Sequence, residues 1–89
     1  MNWSFNITKS QSSGMGYFSI RGEARSPEGV THKFLVSGRV DDSKIQLGVH
    51  QDGWSRKEGV DENLELDQKS KRVISKKCRE LVRDGTIVV

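Results

Sequence analysis

Eighty-nine residues with a single cysteine and 30% charged side chains exclude a multidomain enzyme and a disulfide-stapled scaffold. No stretch is long enough to cross a membrane, and a formal net charge of +3 beside 33% hydrophobic and 7% aromatic residues argues against wholesale disorder. The expectation is one domain over residues 1–89 with a modest core, which a homodimer would enlarge.

In chain order, Trp3, Phe5 and Ile7 alternate with Ser4, Asn6 and Thr8, the period of two that marks a half-buried strand. Ser10–Gly14 is polar and reads as a loop. A second strand follows over about 16–24, with Phe18, Ile20 and Ala24 inward and Ser19, Arg21 and Glu23 outward. Ser26-Pro27-Glu28-Gly29 is a turn, because proline presets one dihedral and glycine accepts a positive one. A third strand spans about 30–40, with His32, Phe34 and Val36 on one face and Lys33, Leu35 and Ser37 on the other. Asp41-Asp42-Ser43 turns the chain again, and Ile45, Leu47 and Val49 mark a fourth strand. Short connections of this kind make consecutive strands antiparallel neighbours.

Residues 51–66 read as a loop opened by an Asp52-Gly53 turn, with Leu64-Glu65-Leu66 as a candidate small strand or early helical turn. A helix is predicted from about Asp67, its N-cap, to a C′ glycine at Gly85. Ile74, Cys78, Leu81 and Val82 form its packing side, with Val73 at the margin. Thr86-Ile87-Val88-Val89 is β-prone and is expected to add an edge strand or to pair with another subunit. The expected fold is therefore α+β: a four-stranded antiparallel β-meander packed by one C-terminal α-helix, with a short fifth edge strand available.

The helix also carries the main functional signal. Lys69, Arg72, Lys76, Arg79 and Arg83 recur at intervals of 3, 4, 3 and 4, which places them on one face. Residues 67–84 hold seven cations against three anions, a net +4, whereas the whole chain totals +3. The basic character thus belongs to this helix, an asymmetry that points to a polyanion. Cations three and four apart repel by roughly 0.2–0.5 kcal/mol per pair, and those near the helix start oppose the dipole. A column that weakens its own helix calls for an external anion such as nucleic-acid phosphate or an acidic protein surface. The competing reading is internal neutralisation by Glu58, Asp61, Glu62, Glu65 and Asp67, which directly precede the helix.

Accessory contacts are expected from Arg21, Lys33 and Arg39 on the outward faces of the strands, where Arg25 and Lys44 add to the charge, and from Trp54. Trp54 stands as either a core plug or an exposed hot spot. Gly14-Met15-Gly16-Tyr17-Phe18-Ser19-Ile20 has the glycines and aromatics of RNA-binding sheets but lacks their leading cation and final aromatic, and a glycine-flanked hairpin strand accounts for it. Tyr17 and Trp54 are the candidates for base stacking.

Cys78 reads as a buried small hydrophobe, which fits a reducing, cytoplasmic setting, and no signal peptide precedes the first strand. His32, His50 and Cys78 show no metal-ligand spacing, so no metal or cofactor is expected. No phosphate loop or nucleophile elbow is present, and nothing in the spacing of the two histidines supports a nuclease. The expected function is a non-enzymatic binding module that contacts nucleic acid or a nucleoprotein complex through the basic helix. The alternative is an inhibitor or adaptor, of the kind phages and mobile elements encode, that docks on a host protein through the same column with Trp54 or the apolar tail as anchor.

Overall fold

The computed structural model describes residues 2–53, 55–57, 60–62 and 66–88, and of 60–62 the backbone alone. Four long antiparallel strands, β1 (Ser4–Gly14), β2 (Tyr17–Arg25), β3 (Val30–Asp41) and β4 (Lys44–Gln51), form the body of one sheet. Two short strands, β5 (Ser55–Lys57) and β6 (Val60–Glu62), complete it, and helix α1 (Gln68–Arg83) covers one face. This is the expected α+β meander with its C-terminal helix.

The turns follow their residue chemistry. Gly29 holds φ 85°, and Ser26 accepts from Val30 N through its side chain and from Gly29 N through its carbonyl. Asp42 and Ser43 both take positive φ, as a two-residue hairpin turn that matches strand twist requires. At Gly16 (φ 82°) a Cβ would collide with the Val40 carbonyl, so only glycine lets the β1–β2 turn lie against the end of β3.

Three segments differ from the sequence reading. Ser10–Gly14 is not a loop: β1 runs on through it, paired with Phe18–Ser19 and beyond. Its side chains are exposed, so backbone pairing alone sustains the ribbon and no apolar alternation announces it. A bulge at Thr8, where Ile7 faces Gly22 but Lys9 faces Arg21, inserts one extra residue. The side-chain alternation therefore flips, and Lys9 and Gln11 turn to the outer face beside Arg21 and Ser19.

Residues 51–66, expected as a loop, contain β5 and β6. Strand β3 is longer than β4, and the unpaired start of β3 at Val30 and Thr31 is completed by Lys57 and Arg56. Asp52 N donates to Lys33 O at 3.0 Å, which carries the chain from one strand to the next along that edge. The inward residue of β5 is Ser55, 1% exposed, a polar side chain that gives no hydrophobic signal. Of Leu64-Glu65-Leu66, only Leu66 is among the described residues, and it is buried in the core.

Finally, the described part of the tail, residues 86–88, forms no strand. Gly85 adopts φ 82°, Thr86 N donates to Asp84 Oδ1, and Ile87 N donates to Leu81 O at 3.0 Å. The chain thus folds back on the helix end and buries Ile87 at 6% exposure. The short additional edge strands are β5 and β6 instead.

The core lies between sheet and helix. Phe18, Ile20, Ala24, Phe34 and Val36 from β2 and β3 meet Ile74, Cys78 and Val82 from α1. Leu81 and the β4 residues Ile45, Leu47 and Val49 pack at its margin, as do Trp3, Phe5 and Ile7. Asp67 caps the helix as predicted, accepting from Ser70 N at 2.7 Å. Burial pushes the Cys78 thiol up to about 11, so it behaves as the inert packing residue the sequence indicated.

Candidate functional site

Packing the apolar stripe of α1 against the sheet dictates where its cations go. With Ser70, Ile74, Cys78 and Val82 buried, Lys69, Arg72, Lys76 and Arg83 stand exposed and Arg79 is half-buried. At 1.5 Å per residue the column spans about 21 Å. The first helical turn contains no acid, so the repulsion inferred from spacing is present in the folded helix.

The structure does not treat the five residues alike. Arg72, Lys76 and Arg79, joined by Lys71, line one side of a groove of about 370 Å³ between α1 and β4, floored by Leu47 and Val49. Arg79 Nη2 reaches across to Ile45 O at 3.5 Å, which anchors its guanidinium over β4. Strand β4 pairs only with β3 among the described residues, so the groove opens along a free sheet edge. Lys71 belongs to the site although it lies off the strict column. The groove widens the cationic stripe toward β4, and that displacement is set by helix rotation on the sheet.

Lys69 lies elsewhere. It lines a separate cleft of about 290 Å³ with Glu28, His32 and Asp67. The Lys69 charge helps hold both neighbouring carboxyls below their ordinary range, though hydrogen bonds do more: those from the backbone and Ser26 at Glu28, and from Ser70 at Asp67. Lys69 thus shares its cleft with two carboxylates, whereas among the described residues no acid lines the α1–β4 groove. Of the other acids expected to neutralise the column, Glu58 and Glu65 lie outside the described residues, as does Trp54, and Asp61 and Glu62 are described by their backbone alone. Arg83 is exposed in the last turn, where a cation complements the helix dipole.

The accessory residues Arg21, Lys33 and Arg39 are on the sheet face opposite the helix. The register aligns Tyr17 with Arg39, and Arg21 with Leu35, across β2 and β3. They do not share a surface with the α1–β4 groove.

His32 and His50 do not converge, since His32 is inward and buried while His50 is exposed beside outward Leu35. His32 Nδ1 and Ser55 Oγ share a 2.7 Å hydrogen bond, and both groups are closed off from solvent. A Ser–His contact near Asp67 has the components of a nucleophile pair, but Ser55 presents no surface to a substrate. Among the described residues no three His, Cys, Asp or Glu side chains gather to hold a metal ion, and no helix is long and apolar enough to cross a membrane.

The buried histidine has a measurable consequence. Desolvation holds the His32 pKa below its ordinary value, with the Asp67 charge opposing. The unfolded chain therefore binds a proton, near pH 6.5, before the folded one does. Stability contributed by neutral His32 is complete above that pH and falls as pH drops toward the folded-state value. The urea midpoint should decrease from pH 7.5 to 5.5 in the native protein and change less in His32→Gln. Parallel pH dependences in the two proteins would refute it.

Compared with known protein families, curated proteins and solved structures, the chain finds no match in any of the three.

Proposed function

We propose that this chain is a small non-enzymatic binding module that contacts nucleic-acid phosphates through α1, with Lys71, Arg72, Lys76 and Arg79 in the contact and Arg83 extending it. The observation that supports this reading best is the α1–β4 groove, where four cations, Arg72 and Lys76 exposed among them, line one wall without an intervening acid. Phosphate contacts of this kind supply affinity and position and carry no base choice. Docking on an acidic host protein through the same column is the second reading. Of its proposed tail anchors, Ile87 is committed to the core at 6% exposure, while Val88 stands 81% exposed.

The test is a titration of purified protein against labelled duplex DNA, single-stranded DNA and RNA at 50 and 200 mM salt. Four phosphate contacts give a duplex slope of log K against log salt of roughly −3.6. Affinity should then fall by about two orders of magnitude over that fourfold change. Absence of binding at the lower salt would refute the reading.

A further inference from the structure

The helix leaves the opposite face of the sheet bare, and among the described residues nothing packs on it. Register shows what that face presents. Three successive rows cross it: Tyr17–Arg39–Gln46, then Gln11–Ser19–Ser37–Gly48, then Lys9–Arg21–Leu35–His50. Rows are separated by two residues, or about 6.6 Å.

The first two rows enclose an open trough of about 740 Å³. Its floor is made of small groups, Ser19, Ser37 and Gly48, and its wall of Tyr17, Arg39 and Gln46. Tyr17 is 48% exposed, and the Arg39 guanidinium sits 5.1 Å from its ring centroid. Arg39 Nε is shielded from solvent and has no hydrogen-bond partner, an uncompensated donor beside an exposed ring. Such groups are rare in native structures and call for an explanation.

The third row adds charge where it weakens the sheet. Lys9 and Arg21 face each other directly across β1 and β2, and like charges so placed are destabilising. The pairing exists only because the bulge at Thr8 turns Lys9 outward. Arg25 and Lys33 follow further along the same face, where Glu23 is set opposite Lys33.

We infer that this outer face is a second binding site, independent of α1, for a single-stranded polynucleotide. One base stacks on Tyr17 over the small-residue floor, and Lys9, Arg21 and Arg39 take the adjoining phosphates. Charge complementarity selects a polyanion, and the exposed ring beside a flat floor selects unpaired bases. A duplex hides its base faces and cannot use the ring. Aromatic stacking with flanking cations is the general physics of single-strand binding.

The experiment measures the affinity of the full chain at 50 mM salt for labelled dT12, rU12 and a 12-base-pair DNA duplex. Removal of a stacking ring is worth about 5- to 150-fold. Tyr17→Ala should weaken dT12 or rU12 binding within that range and leave duplex affinity unchanged. Tyr17→Phe should stay within about twofold of the native protein, and Lys9→Ala with Arg21→Ala should reduce the single-strand salt slope. The two single strands separate a deoxyribose from a ribose ligand. Unchanged single-strand affinity in Tyr17→Ala, or equal losses on single strand and duplex, overturns the inference, as does absence of native binding to either single strand. The helix reading fails separately, if Arg72→Ala and Arg79→Ala leave duplex binding intact.

Discussion

The double variant Arg72→Ala, Arg79→Ala should bind duplex DNA about 100-fold more weakly than the native protein at 50 mM salt, with its fold intact. Each side chain would lose one hydrogen bond to a charged partner, an interaction worth roughly 1.5–3 kcal/mol, or a factor of ten or more. The salt slope should also halve, from roughly −3.6 to roughly −1.8, because two of four released counterions disappear. Lys69→Ala is the informative control. It removes the same unit charge from the same helix, but Lys69 lies in the cleft with Glu28 and Asp67. If phosphate is held by the α1–β4 groove, Lys69→Ala should change affinity by no more than about threefold. Equal losses from Lys69→Ala and Arg72→Ala would mean that net charge alone drives association, without a defined groove. Circular dichroism and urea midpoints separate binding losses from unfolding. Arg79 needs that check, since its guanidinium also reaches the Ile45 carbonyl at 3.5 Å.

That contrast also shows which features the sequence carries by itself. Periodicity located β2, β3 and β4 because one face of each is apolar, buried in β2 and β3 and half-buried in β4, and the Asp67 cap and Gly85 turn fixed the helix ends through backbone chemistry local to those residues. The cation column was legible for the same reason, since spacing alone decides which side chains share a helix face. What spacing does not contain is the rotation of that helix on the sheet. Rotation recruits Lys71 to the groove and sends Lys69 to the acidic cleft. Strands β5 and β6 escaped for a different reason. They exist because β3 outruns β4 and needs a pairing partner, a nonlocal demand met by β5, three polar residues of which Ser55 alone is buried. The outer-face row of Lys9 and Arg21 likewise depends on the bulge at Thr8, which strict alternation would place differently. Both omissions arise from backbone pairing, and hydrophobic pattern is blind to it.

Backbone pairing also governs the largest stability effect expected in the domain. Phe34 is fully buried on β3, and its ring lies over Gly22 of β2, directly opposite in register. Phe18 of β2 covers Gly38 of β3 in the same way. Two phenylalanines thus fill the space over two glycines, a reciprocal arrangement on the sheet face that α1 covers. Phe34→Ala should cost about 3–5 kcal/mol, against a total of about 4–13 kcal/mol for a chain of this length. At the low end of that range much of the population would unfold, and across all of it the urea midpoint would measure the loss. Gly22→Ala approaches the same pair from the other side. Its Cβ would meet the Phe34 ring at 3.1 Å, and the Asn6 carbonyl of β1 at 2.5 Å. Overpacking of this kind costs about 1–3 kcal/mol. The two contacts can be told apart by adding Phe34→Leu, which relieves the ring and leaves the carbonyl. Because the shorter contact is with backbone, Phe34→Leu in the Gly22→Ala protein should recover none of the stability. A substantial recovery would show that the ring alone demands glycine at position 22. Strand β1 would then have room to shift, and the bulge that turns Lys9 outward would be less firmly fixed than the register implies.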